Sequence, residues 1–355
     1  MMEIDFNEIN YVTDPTWQVI HADYEQFLLS MTGPTVIDIS GEDNTKCRVF
    51  VTLLQGDEPS GIIAIHRYLE QKGNTRPATK LRFIICSVEA AASRPLFSKR
   101  FTDGGIDINR CFGNQLVVNK EDFLQRNYQH RANLIKHAIE EVQPEMVIDL
   151  HNAPSSGPAF AISALVNTET LSLASFFSST LILSDLKIGS LMEHNFHCPY
   201  ITVECGGSED EQAHEVAFAG IVNIANCQHI GYIHQKKSVD VIYRPLRLQL
   251  KSNVKLSYAK HDEGYNGITL KNNIECFNFG SAYQDQMLGW VDGEGLNNLN
   301  LIDKDGTNVL ADYFYIRENQ LVCRHNLRLF KATNNKQKAM NDCLFYVVKA
   351  PVNEA

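Results

Sequence analysis

Between residues 47 and 230 short apolar runs alternate with longer amphipathic stretches, and near residue 235 that alternation stops. The runs at 47–54, 81–87, 146–150, 159–162 and 200–205 are bounded by polar turns and read as strands. The stretches at 61–72, 122–142, 168–179 and 211–230 carry the helical period. Strands without a polar face, interleaved with helices, are expected in a sheet covered on both sides. The fold class is therefore α/β, with a mostly parallel or mixed central sheet flanked by helices over residues 46–235. From 240 to 355 the chain changes to short alternating segments separated by turns such as Gly293-Glu294-Gly295 and Asp305-Gly306. That pattern predicts a smaller all-β domain, with the boundary near 235–240. Residues 1–45 read as an extension: a helix over 17–31, capped by Asp14-Pro15-Thr16 and ended by Gly33-Pro34, then a strand at 36–39.

Composition narrows the class of partner. The 355 residues carry 32 Lys and Arg against 42 Asp and Glu, a formal charge of −10. That balance disfavours a nucleic-acid backbone or an anionic membrane as the main partner. No apolar run approaches the roughly 18 residues of a membrane span. The acidic N-terminus lacks the layout of a secretion signal. Nine cysteines, with no C-x-x-C pair, suit reduced thiols in the cytoplasm.

Ligands of open α/β sheets collect beyond the carboxyl ends of strands, and four loops there are rich in polar groups. They are Gln55-Gly56-Asp57-Glu58, Asp149-Leu150-His151-Asn152, Glu204-Cys205-Gly206-Gly207 and the stretch from Arg100 through Asp107, Asn109 and Arg110 to Phe112. Each has a bland explanation. Glu58 can favour a helix dipole, His151 can be a hydrogen-bonded structural histidine, and Asn109-Arg110 can be a loop ion pair. Asp149 beside His151 suits a carboxylate that orients an imidazole. Glu204 is costly if buried without a partner. Arginine is the side chain suited to bidentate capture of a carboxylate. Four such ends in one sheet argue for a site.

In their order along residues 55–207, these motifs resemble the succinylglutamate desuccinylase/aspartoacylase family, a branch of the zinc carboxypeptidase superfamily. The matching pieces are Gly56-Asp57-Glu58-Pro59-Ser60-Gly61, Asp107-Ile108-Asn109-Arg110-Cys111-Phe112, Asp149-Leu150-His151-Asn152 and Val203-Glu204-Cys205-Gly206. The resemblance implies hydrolysis of the amide bond of an N-acyl amino acid. Glu58 and His151 match two of three zinc ligands, and Glu204 matches the general acid/base that activates metal-bound water. Asn109 and Arg110 match the pair that holds a substrate carboxylate. Arg100 resembles the arginine that polarises the scissile carbonyl, although Gly104-Gly105 lengthens the gap to Asp107.

The departure is Gln55, which stands where the first histidine ligand is expected. An amide oxygen is a poor zinc donor and suits harder cations better, so the expected cofactor is one zinc in a weakened site that tolerates manganese or another divalent ion. His194 lies near where relatives place a further carboxylate-binding arginine and is a candidate substrate contact. His194, His197 and His66 are conceivable replacement ligands, against the plainer reading of surface or core histidines. Ser87-Val88 stands where the family often has Asn-Pro. Two functions follow: a metal-dependent deacylase acting on a small acidic amide, or a metal-poor relative that binds a carboxylate ligand or partner protein without hydrolysis. The β domain is left with shaping the cleft, mediating a homo-oligomer or binding something else.

Overall fold

The computed structural model describes residues 4–16, 20, 22–113, 123–230 and 238–350. These form two compact units, one of Met1–Asn152 with Ala159–Ile242, the other of Ala153–Pro158 with Tyr243–Ala355.

The first unit is a nine-stranded mixed sheet. Its elements in chain order are β1 (Asn10–Thr13), α1 (Tyr24–Leu29), β2 (Thr35–Ile39), β3 (Asp43–Thr52), α2 (Ser60–Lys72), β4 (Thr79–Ile85), α3 (Phe123–Glu140), β5 (Met146–Ala153), β6 (Phe160–Ser163), α4 (Thr168–Ser175), β7 (Thr180–Leu183), β8 (Tyr200–Gly207), α5 (Glu211–Asn226) and β9 (Asp240–Tyr243). The strand order is β1-β2-β4-β3-β5-β8-β6-β7-β9. β3 is parallel to both β4 and β5, while β2 meets β4, and β6 meets β8, antiparallel. Both faces are covered, as the apolar runs required. Ile148, Leu150, Ile201 and Val203 pack with Ile62, Ile65, Ala217 and Ile221 of α2 and α5. Val49, Val51 and Val147 point the opposite way, onto Ala132, Ile135 and Ile139 of α3.

Residues 1–45 are more than an extension. β1 and β2 complete one edge of the sheet, and Phe27, Leu28, Ile37 and Ile39 lie in its core. The expected helix over 17–31 is only α1, capped by Asp23, whose carboxylate accepts from Gln26 N at 2.7 Å. Asp14 instead accepts from the backbone and hydroxyl of Ser40. Residues 17–19 and 21 of that expectation lie outside the described residues, as do 235–237 of the expected boundary and residue 122 at the start of the third helix. β7 was hidden in the sequence because Thr-Leu-Ile-Leu follows α4 after only a short turn and extends its apolar stripe.

The second unit has two five-stranded sheets. One runs β13 (Ser281–Ala282), β18 (Leu327–Phe330), β19 (Phe345–Lys349), β10 (Leu246–Leu250) and β15 (Leu299–Leu301). The other runs β11 (Leu256–Ala259), β12 (Ile268–Lys271), β14 (Met287–Val291), β17 (Gln320–Cys323) and β16 (Phe314–Arg317). Leu248, Leu288, Leu301, Phe314, Leu321 and Phe345 form their shared core. The segment 153–158 is stitched in by Ser155, whose hydroxyl donates to Ala332 O at 2.7 Å and accepts from Asn278 Nδ2 at 2.8 Å. Among the described residues no helix is long and apolar enough to cross a membrane.

Gly61 lets the start of α2 lie against the sheet, and Gly56 lets the preceding turn lie against residues 90–99. A Cβ on Gly61 would sit 2.0 Å from Thr52 Oγ1 and 2.6 Å from Thr52 Cβ. A Cβ on Gly56 would lie 2.7 Å from Ala91 N and from Lys99 O, both backbone atoms that cannot rotate away. Gly61→Ala is therefore expected to push α2 off β3 and cost about 1–3 kcal/mol. Chemical denaturation checks this, and an unchanged midpoint would show that α2 has slack at that contact.

Candidate functional site

Three strand ends build the site. β3 ends in a turn in which Leu53, fully buried, adopts a φ of 52°. A left-handed β-branched or leucine-type residue costs of order 1–3 kcal/mol and persists only where the surroundings over-determine it. Here the end of β4 does so: Ser87 N donates to Leu53 O at 2.7 Å and Ser87 Oγ to Leu54 O at 3.0 Å. The bend turns Gln55 and Glu58 inward. Gly56 N donates to Arg100 O at 2.9 Å, which fastens the Arg100 loop to the same turn.

On β5 the two-residue alternation sends Asp149 and His151 to one face, while Ile148 and Leu150 go to the apolar core on the other. On β8, next to β5 in the sheet, Ile201, Val203 and Cys205 enter that same core. Tyr200, Thr202 and Glu204 therefore share the face of His151. Tyr200 closes the loop between the strands by donating its hydroxyl to Asp149 Oδ2 at 3.1 Å.

The polar groups meet in one network. His151 Nδ1 lies 2.7 Å from Glu58 Oε2, and His151 Nε2 lies 2.7 Å from Asp149 Oδ2. Burial works against a charged imidazole, but the Asp149 and Glu58 carboxylates outweigh it and hold His151 well above the usual histidine range. Asn152 N also donates to Glu58 Oε2, at 3.1 Å. Arg100 spans two carboxylates, with a terminal nitrogen 3.2 Å from Glu58 Oε1 and Nε 3.0 Å from Asp107 Oδ2. Asp107 accepts in turn from Gln55 Nε2 at 3.0 Å. Gln55 is 1 % exposed, and its Oε1 has no hydrogen-bond partner among the described residues.

Of the residues singled out in the sequence, Glu58, Arg100 and His151 are thus joined directly, Gln55 reaches Arg100 through Asp107, and Glu204, buried at 5 % exposure, lies on the same sheet face. Asn109 and Arg110 follow Asp107 in a short 3₁₀ turn; Asn109 Oδ1 accepts from Leu191 N at 2.9 Å, which docks this loop on residues 189–191. His194 is turned elsewhere: its Nε2 lies 2.6 Å from Glu140 Oε1 on α3, and its ring meets Phe196 edge-on. His66 is a core histidine, 5.5 Å from the ring of Phe27, and His197 is exposed.

Two members of the site stand in the sequence motifs without an assigned role. Asp107 is the bridge between Gln55 and Arg100, 52 and 7 residues away. Asn152 ties three segments together. It accepts from Ser60 N at 3.0 Å, and its amide donates to Ser60 Oγ at 2.7 Å and Gly206 O at 3.0 Å. Asn152 follows His151 directly, which was the available signal.

These side chains do not form the three-donor zinc site that the resemblance implies. The donors are one carboxylate, one imidazole and one amide oxygen, and the first two are bonded to each other. Among the described residues there is no group of three or more His, Cys, Asp or Glu arranged to hold a metal ion.

Comparison with known proteins agrees with the architecture. The sequence model of the succinylglutamate desuccinylase/aspartoacylase catalytic domain matches residues 53–215. A succinylglutamate desuccinylase from Vibrio parahaemolyticus is similar in structure with a TM-score of 0.57 at 14% identity, over 95% of this chain and 98% of that one. A succinylglutamate desuccinylase/aspartoacylase from Rhodobacter sphaeroides follows at 0.54 and 13%, over 90% and 89% of the two chains. A mutant of murine aminoacylase 3 reaches 0.52 at 12%, over 87% and 95%. No curated protein sequence matches the chain. These identities speak for the fold, and the catalytic-domain match over residues 53–215, together with the motifs at its strand ends, supports placing that domain with the succinylglutamate desuccinylase/aspartoacylase family.

Proposed function

We propose that the protein is a hydrolase of the desuccinylase/aspartoacylase type that cleaves the amide bond of a small, carboxylate-bearing N-acyl amine. The observation that carries this reading is the single network of Gln55, Glu58, Arg100, Asp107 and His151, with Glu204 on the same sheet face. Amide hydrolysis needs a base for the attacking water, a cation for the developing oxyanion and an acid for the leaving nitrogen. Glu204 takes the proton of the water as its oxygen bonds to the carbonyl carbon. The Arg100 guanidinium stabilises the oxyanion. As the C–N bond breaks, Glu204 returns the proton to the departing amine, leaving a free carboxylic acid. Arg110 and Asn109 hold the substrate's own carboxylate, which fixes the carbonyl in reach of Glu204. Nine free thiols suit the cytoplasm as the place of action.

The direct Glu58–His151 bond and the amide at 55 favour a second reading, binding of the same ligand class without turnover. A panel of N-acetyl, N-succinyl and N-formyl amino acids separates the two, assayed for amine release and, by calorimetry, for binding. Amine release supports hydrolysis, heat of binding without release supports the second reading, and silence in both assays sinks the two together. Under either reading Arg110→Ala is expected to weaken the best ligand by about 10- to 100-fold, the worth of one charge-assisted pair. Equal affinity in the variant would remove Arg110 from the site.

A further inference from the structure

We infer that this chain carries no zinc, and that a hydrogen-bonded chain running Asp149–His151–Glu58–Arg100 takes the place of the ion. The inference concerns the same site as the hydrolase reading and rests on the same alignment of Glu58 and His151 with zinc ligands, but it concerns the ion and not turnover.

Distance is the first argument. Two donors on one tetrahedral zinc, each about 2.0–2.1 Å from it, are held about 3.3 Å apart. Glu58 Oε2 and His151 Nδ1 are 2.7 Å apart, the length of a direct charge-assisted hydrogen bond.

Occupancy of the lone pairs is the second. Glu58 Oε1 accepts from Arg100, Glu58 Oε2 accepts from both His151 and Asn152 N, and His151 Nε2 faces Asp149. A zinc ion would have to break the central bond of this chain and displace Arg100 or Asn152 from the Glu58 carboxylate.

Donor identity is the third. The side chain that would make up the set is Gln55, whose nitrogen is used on Asp107 and whose Oε1 is an amide oxygen. Zinc is bound by Cys, His and carboxylate donors. Nor does another histidine compensate. His66 packs on Phe27, on the side of α2 that faces α1, while His194 pairs with Glu140.

The test uses the full chain, purified without a histidine tag and dialysed, with elemental analysis followed by zinc titration against a chromophoric chelator. The expected wild-type content is below about one-tenth of a zinc per chain. Gln55→His is expected to raise zinc affinity by about 100-fold or more, since loss or gain of a direct ligand outweighs the 10- to 100-fold of an outer partner. Adding Glu58→Gln to that variant should return affinity to the wild-type level. Near-stoichiometric zinc in the wild type overturns the inference, and so does an affinity that Gln55→His leaves unchanged. Should the variant not fold, as judged by circular dichroism, the wild-type content decides alone. Metal content is read without substrate, so a zinc-free chain that hydrolyses an amide and a zinc-bearing chain that does not are distinct outcomes.

Discussion

Glu204→Gln is expected to lower kcat by at least about 100-fold and as much as 10,000-fold, the span attributed to a positioned acid/base. The amide has nearly the shape of the carboxylate, so β8 and its packing should be untouched. Its oxygen accepts hydrogen bonds but takes no proton from water at neutral pH, and its nitrogen has none to give the leaving amine. KM should change little, because binding of the substrate carboxylate is assigned to Arg110 and Asn109. Steady-state kinetics on whichever N-acyl substrate responds, with thermal unfolding as the control for folding, makes the measurement. A variant that keeps more than about a tenth of wild-type kcat would take the acid/base role away from Glu204 and reopen the choice of base.

His151→Ala carries the largest expected effect on stability. The wild type buries Asp149, Glu58 and His151 at 1, 8 and 5 % exposure. It satisfies the two carboxylates with one imidazole between them. Removing the imidazole leaves two buried anions on neighbouring strand ends, with Tyr200 still donating to one and Arg100 to the other. Breaking a buried pair from one side costs about 3–5 kcal/mol, since the stranded charge is not rehydrated. For a unit of this size that is roughly a 10 °C fall in melting temperature. A loss under about 1 kcal/mol would mean that water reaches the carboxylates, or that the three groups are not held together as described. Asp149→Asn is the milder companion: it keeps the shape and an acceptor oxygen, so its loss should be smaller than that of His151→Ala.

The two variants probe different links of one construction. β3, β5 and β8 are adjacent in the sheet, so their ends deliver three short polar motifs to one place although the motifs lie about 50 to 150 residues apart along the chain. Glu204 tests what that place does. His151 tests what holds it together when its second donor, Gln55, is an amide.

The sequence by itself determined a good deal. Uninterrupted apolar runs at 47–54, 146–150 and 200–205 required a sheet covered on both sides, and the change of period after 235 required a different, all-β arrangement. The polar residues at the strand ends, read with their order, were enough to name the family and to mark residue 55 as the departure. What tertiary structure alone decided is who bonds to whom. Asp107 joining Gln55 to Arg100, Asn152 knotting Ser60 to Gly206, and Glu140 claiming His194 are all partnerships across long stretches of chain. So is the place of β1 and β2 at the sheet edge. The physical reason is that hydrophobic period and capping residues act within a few residues of themselves and fix only which face a side chain takes. Hydrogen-bond partners are chosen within about 3 Å, by the register and twist of packed elements, and no local pattern carries that information.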